Sequence, residues 1–235
     1  MEQITENVTR IEGLRGGNVY LLVTGNSLAL VDGGMPRDAD RIVAEIEGGG
    51  YDPAALASIF VTHNHPDHVG SVAALAERFD ADVIAHRAEA PHLEGTTAMP
   101  ARGILQMLMR ATGAFLPEPE GIDVTIRVED GETVDVLGGL QVIHTPGHTP
   151  GSMCLYQPER KILLTGDVLV NGHPLTGRGG LQYAPRSFST DPEQVERSAQ
   201  KLADLQIGIL CPGHGSPIER DPSVRLGSLL REARA

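Results

Sequence analysis

The apolar positions in the first third of the chain predict short strands that alternate with helices. Two apolar runs, 19–23 and 28–31, flank a Gly-Asn pair and predict a β-hairpin. Apolar residues then recur with a helical period in 38–47 and 69–79, and brief apolar runs that predict strands lie at 59–61 and 83–85.

A similar order returns in the second half of the chain. Short apolar runs that predict strands lie at 124–126, 133–137, 141–143, 153–156, 162–164 and 207–210, and a Gly-rich loop lies at 171–180. Asp191 followed by Pro192 is typical of a helix start, so we expect a helix over 192–205 and a last helix from Asp221. Two passes of strands and helices predict an α/β (α+β) fold with two sheets and outer helices.

The segment 89–120 interrupts this order and predicts a helical insertion within a single domain that spans 1–235. It contains four prolines, and a predicted helix at 102–111 has apolar residues on more than one face. Part of that helix should therefore cover something other than the core.

Composition and charge exclude several classes of function. The 31 acidic residues outweigh the 19 basic ones, for a net charge of −12, and the basic residues are scattered. Nucleic acids and anionic membranes require clustered Lys and Arg. We therefore expect a small-molecule substrate, with neither nucleic acid nor membrane as partner. A homo-oligomer stays compatible with the sequence.

The sequence also carries signals of cellular location. Its apolar stretches are shorter than the roughly 20 residues that a membrane helix needs. The first residues lack the basic and apolar regions of a signal peptide, and two cysteines cannot form a disulfide framework. We therefore expect a soluble, cytoplasmic protein.

Candidate chemistry is concentrated just after the strand predicted at 59–61. The sequence His63-Asn64-His65-Pro66-Asp67-His68 places four metal-binding side chains within six residues. Alternate residues of an extended chain point the same way, as His63 and His65 should. Pro66 then turns the chain, so that Asp67 and His68 enter the next helix. Three imidazoles and a carboxylate suit zinc, and also Fe, Mn or Co.

Three more candidate ligands each follow a predicted strand and stand beside glycine. They are His148, Asp167 and His214. Glycine allows the backbone to approach a ligand closely. With the first four side chains they make seven ligands, enough for two cations bridged by one carboxylate.

Over nearly its whole length, the chain resembles the metallo-β-lactamase superfamily of metallohydrolases in these spaced motifs. The resemblance implies a four-layer αββα sandwich with the site at one edge of the two sheets. It implies two divalent cations, with zinc expected and Fe or Mn as alternatives. The implied ligands are His63, His65 and His148 for the first cation, Asp67, His68 and His214 for the second, and Asp167 as the bridge.

The resemblance also implies catalytic roles. A metal-bridging hydroxide would attack the substrate, and Asp67 would be both a ligand and a proton shuttle to the leaving group. Asp32 follows the 28–31 run and matches the family's Asp-x-Gly corner. Asp32 is therefore a candidate to support the metal ligands from behind, and the alternative is a simple turn.

The expected substrate is a carboxylic ester, a lactone or a thioester, with phosphotriesters as a secondary class. Lactonases of the superfamily carry helical insertions near 89–120, where Met107 and Leu108 would line a lid over an apolar pocket. The alternative is that this helix packs on the sandwich or on a second subunit. Tyr183 is a candidate to hydrogen-bond a substrate oxygen, although a packing role is favoured.

Three alternatives stay open. The first is a glyoxalase II-like hydroxyacyl-thioester hydrolase, which the chain resembles around 148–152 and 165–167. The second is a mononuclear iron persulfide dioxygenase, against which the complete second set of ligands argues. The third is a non-enzymatic, metal-containing binding module, against which the intact ligands argue. We expect His86 and His92 to lie at the surface.

Overall fold

The computed structural model describes residues 1–98, 121–174, 176–177 and 179–232. The helix expected at 102–111, together with Met107 and Leu108, lies outside the described residues. Most of the expected 89–120 insertion lies outside them as well.

Within the described residues, seven strands form one sheet in the order β1-β2-β3-β4-β5-β6-β7. These strands are β1 Glu2–Thr5, β2 Val8–Arg10, β3 Tyr20–Thr24, β4 Ser27–Val31, β5 Leu56–Val61, β6 Asp82–His86 and β7 Ile126–Val128. Strands β1 to β4 pair antiparallel, and β4 to β7 pair parallel. The predicted hairpin is β3–β4, with Gly25-Asn26 as its two-residue turn.

A second sheet of five strands in the described residues has the order β14-β11-β10-β9-β8. Its members are β8 Thr133–Val134, β9 Leu140–His144, β10 Met153–Gln157, β11 Ile162–Gly166 and β14 Ile209–Pro212. Two further strands, β12 Leu169–Asn171 and β13 Leu181–Tyr183, form a separate antiparallel ribbon. The predicted Gly-rich loop lies between these two strands in the sequence.

The described helices are α1 Ala39–Gly48, α2 Pro66–Val69, α3 Val72–Phe79, α4 Ala90–Leu93, α5 Pro192–Gln200 and α6 Pro222–Glu232. Short 3-10 turns lie at Pro53–Ala55 and Arg186–Phe188. The Asp191 side chain accepts a hydrogen bond from the Gln194 backbone N–H (3.0 Å), so it caps α5 as the sequence predicted.

Some predicted boundaries are wrong. The helix expected over 69–79 is preceded by a separate short helix, α2, and begins only at Val72. The strand expected at 133–137 ends at Val134, because Leu137 and the glycine after it adopt positive φ angles that turn the chain. The helix expected over 192–205 ends at Gln200. Strands β1 and β2 were not predicted, since their short segments are mixed in polarity.

The alternation of side chains along each strand creates the layers of the fold. In β3, Leu21 faces the core cluster that α1 and α3 cover, whereas Tyr20 and Leu22 face the cluster between the two sheets. In β10, Leu155 faces the same inner cluster, and Cys154 faces a third cluster under α5 and α6. The resulting order of helices, sheet, sheet and helices confirms the αββα sandwich.

No helix in the described parts of the chain is both long enough and apolar enough to cross a membrane.

Candidate metal centre

The connection between β5 and α2 places four donor side chains, as the sequence predicted. β5 ends at Val61, His65 precedes the first residue of α2, and Asp67 and His68 lie within that helix. Pro66 fits the first helical position because its missing N–H would have no partner there. A strand, a turn and a single helical turn therefore direct this group toward one edge of the sandwich.

The other three donors come from loops at the ends of strands. His148 lies between β9 and β10, Asp167 follows β11, and His214 follows β14. Because β11 and β14 are parallel neighbours, Asp167 and His214 emerge at the same edge of their sheet. Glycine at position 213 lets the chain before His214 pass close to the Asp167 carboxylate, because a Cβ atom there would lie 2.2 Å from Oδ1 of Asp167.

The Asp167 carboxylate lies at the centre of the donors. Its Oδ2 is 3.3 Å from Nε2 of His214, 3.6 Å from Nε2 of His148 and 4.0 Å from Nε2 of His63. Its Oδ1 is 3.5 Å from Nε2 of His68. One carboxylate thus faces four imidazoles that come from both sheets.

The donor atoms form overlapping groups, and in each group they lie within 4.8 Å of one another. Two of these groups could each hold a metal ion, and we call His63, His65 and His148 the first ligand set and Asp67, His68 and His214 the second ligand set. A third group joins His63 and His68 to Asp167 and so links the two sets. The structure therefore brings together all seven predicted ligands.

The imidazoles of the first ligand set are poised to be neutral. Burial lowers the pKa of His65 to about 4 and that of His148 to about 3, and it holds the pKa of His63 well below its usual range. Neutral imidazoles offer a lone pair to a cation without first losing a proton.

The second ligand set has the opposite electrostatics. Burial alone would lower the pKa of His68, but the carboxylates of Asp167, Asp32 and Asp67 raise it to about 9. Burial would also lower the pKa of His214, but the carboxylates of Asp167 and Asp67 outweigh it and raise this pKa to about 10. In return, these two imidazoles hold the pKa of Asp67 and of Asp167 well below the usual range, against the effect of burial.

Asp32 orients one imidazole from each ligand set. It is 2 % exposed and adopts a positive φ of 65° just after β4. Its Oδ2 accepts hydrogen bonds from Nδ1 of His68 (2.7 Å) and from the Thr62 hydroxyl (2.8 Å). Because that hydroxyl donates its single proton to Asp32, it must accept from Nδ1 of His63 at 3.0 Å. Both imidazoles therefore direct Nε2, rather than Nδ1, toward a cation.

A second support, Ser189, lies behind His148. The Ser189 hydroxyl donates to the carbonyl of Pro185 (3.1 Å), so it accepts from Nδ1 of His148 at 3.2 Å. Sequence reasoning missed both Ser189 and Thr62. The position of Thr62, directly before His63, could have indicated its role, whereas Ser189 is 41 residues from its partner and gave no signal.

The donor set fits metal ions. Only three buried side-chain nitrogen or oxygen atoms among the described residues lack a hydrogen-bond partner, and Nε2 of His63 and Oδ1 of Asp167 are two of them. Nδ1 of His65 lies 3.0 Å from Nε2 of His148 and donates to it in the tautomer that holds the His65 proton on Nδ1, whereas the other tautomer leaves both nitrogens with lone pairs for a cation. Divalent cations would satisfy these atoms, and imidazole with carboxylate is a donor set that zinc and iron accept.

Other candidate residues lie apart from these groups. The Tyr183 ring packs against the third core cluster, and its hydroxyl donates to the carbonyl of Leu229 in α6 (3.5 Å), contacts that a packing role explains. His86 is 5 % exposed, so its expected surface location is wrong: its ring stacks on that of His144, with centroids 3.7 Å apart.

Comparison with known proteins gives consistent matches. A family model described as the metallo-beta-lactamase superfamily matches residues 13–214. The chain is 32% identical over 215 residues to the probable metallo-hydrolase YflN of Bacillus subtilis, across 86% of this chain and 81% of that protein. It is 30% identical over 199 residues to a hydroxyacylglutathione hydrolase of Dechloromonas aromatica, across 84% of this chain and 57% of that protein. A solved structure, TTHA1623 in a di-iron-bound form, matches with a TM-score of 0.63 and 32% identity, across 93% of this chain and 92% of that one.

Proposed function

Because the chain belongs to the metallo-β-lactamase superfamily of metal-dependent hydrolases, we propose that it hydrolyses the acyl bond of a small carboxylic ester, lactone or thioester. Two divalent cations would be its cofactors. The observation that carries the proposal is the position of the Asp167 carboxylate, which lies within 4.0 Å of imidazoles from both ligand sets. A carboxylate in that position suits a bridge between two cations.

The proposed roles follow the two ligand sets. The first set would hold one cation, the second set the other, and Asp167 would contact both. Cations held there would lower the pKa of a coordinated water and polarise the carbonyl oxygen of an acyl substrate. Asp32, Thr62 and Ser189 would keep the imidazoles in the tautomers that this binding needs.

Asp67 is the residue best placed to move a proton. Its side chain is 27 % exposed, whereas the Asp167 side chain is 5 % exposed. Oδ2 of Asp67 lies 3.2 Å from Nε2 of His214, which fixes the carboxylate at the rim of the site. We therefore assign Asp67 the transfer of a proton to the leaving group, a role that requires contact with both the site and the substrate.

A thioester is the acyl bond with the most specific support. The hydroxyacylglutathione hydrolase similar to this chain acts, by its name, on an acyl derivative of the thiol glutathione. The match covers 57% of that protein, so it supports the thioester bond rather than a particular thiol-carrying group. Thioesters accordingly take the first place among the substrates to be tested.

A substrate panel tests the proposal. Protein reconstituted with zinc, manganese or iron would be assayed with a lactoyl-glutathione thioester, an aromatic acetate ester, γ- and δ-lactones, a phosphotriester and a β-lactam. We expect metal-dependent turnover of at least one acyl substrate, lost in Asp67→Ala and kept in Asp204→Ala, a change at an exposed aspartate. Folded, metal-loaded protein that hydrolyses none of the esters, lactones or thioesters would refute the proposal and favour a binding module.

A further inference from the structure

The buried carboxyl group of Glu89, between β6 and α4, connects two separate loops. Glu89 has no exposed surface. Its Oε1 accepts a hydrogen bond from the Asn64 backbone N–H at 2.6 Å, and its Oε2 accepts one from the Gly151 backbone N–H at 2.7 Å. Hydrogen bonds from backbone N–H groups to a carboxylate are among the stronger ones in proteins.

The two loops are those that carry the first ligand set. Asn64 lies between His63 and His65, and Gly151 lies in the same turn as His148. This turn is closed by hydrogen bonds of its own, such as that from the Gly147 N–H to the Thr149 carbonyl (3.0 Å). A single carboxyl group therefore spans the space between the two segments that must converge on one cation.

Glu89 is itself held firmly by the backbone around it. Its N–H donates to the His86 carbonyl (2.8 Å), and its carbonyl accepts from the His92 N–H (2.9 Å) in α4. The 148–151 turn packs directly against it: a Cβ atom on Gly151 would lie 2.3 Å from the Glu89 nitrogen. The carboxyl group therefore holds both ligand loops at fixed positions relative to β6 and α4.

We propose that Glu89 is a positioning residue for the cation of the first ligand set, which it supports by joining the His63–His65 segment to the His148 turn. It contacts neither the cation nor the substrate. The inference rests on the proposed metal binding but not on the acyl substrate, so its test measures metal affinity and would be unaffected if the substrate proposal failed.

The test compares two proteins, the His214→Ala variant and a double variant that carries both His214→Ala and Glu89→Gln. His214→Ala removes a ligand of the second set only, so that the measured cation is the one held by the first set. A glutamine side chain has one acceptor oxygen, and its NH₂ group would face a backbone N–H. We expect the affinity for Zn²⁺, measured by competition with a chelator, to fall by about 10- to 100-fold. The absorption bands of the Co²⁺ form should shift as well, because the ligand geometry changes.

Leu93→Ala in the same background is the matched control. Leu93 lies in α4, is 2 % exposed and packs in the core cluster that α1 and α3 cover, so its truncation should lower thermal stability and leave both hydrogen bonds of the Glu89 carboxyl group in place. We expect Zn²⁺ affinity within threefold of the background and an unchanged Co²⁺ spectrum. Unchanged affinity in Glu89→Gln, or an equal loss in Leu93→Ala, would overturn the proposal.

Hydrogen exchange of the unmutated protein covers the case in which Glu89→Gln does not fold. Without metal, the amides of Asn64 and Gly151 should exchange far more slowly than loop amides that are exposed to water, because both donate to a buried carboxyl group. Exchange of either amide at the rate of an open loop would also overturn the proposal.

Discussion

Replacement of Asp32 by asparagine tests how the site orients its imidazoles. The change keeps the size of the side chain but replaces one acceptor oxygen with an NH₂ group. In wild-type protein Oδ1 accepts from the Thr62 N–H, and Oδ2 accepts from the Thr62 hydroxyl and from Nδ1 of His68. Whichever way the new amide faces, at least one buried donor loses its acceptor.

The magnitude follows from these contacts. If the NH₂ group faces His68, the neutral imidazole that would bind a cation must hold its one proton on Nε2 instead of Nδ1. The Thr62 hydroxyl can then turn to donate to His63, so that neither imidazole offers the Nε2 lone pair to a cation. A hydrogen bond to a charged group contributes about 1.5–3 kcal/mol. Since each factor of ten in affinity is about 1.4 kcal/mol, we expect Zn²⁺ affinity to fall by about 10- to 100-fold.

The assay is chelator competition at equilibrium, combined with urea unfolding of the metal-free protein. Asp38→Asn is the matched control, because Asp38 lies in the same connection and its carboxylate accepts from the Met35 N–H (2.9 Å) without contacting a metal ligand. Wild-type Zn²⁺ affinity in Asp32→Asn, or an equal loss in Asp38→Asn, would refute the reasoning.

Three further predictions concern the donors themselves. Asp67→Ala should lower kcat by at least about 100-fold with little change in the melting temperature, because this side chain is 27 % exposed; a kcat near that of wild type would contradict the assigned role. Gly213→Ala should sharply weaken metal binding in the chelator assay, since the new Cβ would lie 2.2 Å from Oδ1 of Asp167; unchanged affinity would show that the approach is not required. The pKa values of about 9 for His68 and about 10 for His214 keep both imidazoles protonated at pH 7 in the metal-free protein. A cation at the second ligand set must therefore displace protons, and its affinity should weaken as the pH falls from about 9 toward 6. Calorimetry in buffers of different ionisation enthalpy would count these protons, and uptake of no protons by the buffer would contradict the prediction.

Local patterns allowed much of the site to be predicted from the sequence. The spacing from His63 to His68 determines a strand end, a turn and a helix start, and these geometries depend on neighbouring residues alone. The β3–β4 hairpin and the Asp191 cap were predictable for the same reason. The roles of the later donors needed the resemblance to a family, because His148 and His214 come from strands far apart along the chain.

The supporting contacts could not be predicted, since each joins residues that are distant in sequence. Glu89 reaches Asn64 and Gly151 across 25 and 62 residues, and nothing in the sequence distinguishes it from a glutamate exposed to solvent. The early end of β8 depends on the positive φ of Leu137, a conformation that is uncommon for leucine and could not be predicted from its identity. Tertiary packing decides such features, and only the structure reveals them.

The metal content of the purified protein tests the central claim most directly. After reconstitution with excess zinc and removal of the unbound metal, elemental analysis should find about two ions per chain in wild-type protein. His214→Ala, which lacks a ligand of the second set only, should retain about one. Wild-type protein that holds no metal, or that holds a single iron per chain under all loading conditions, would contradict the dinuclear site.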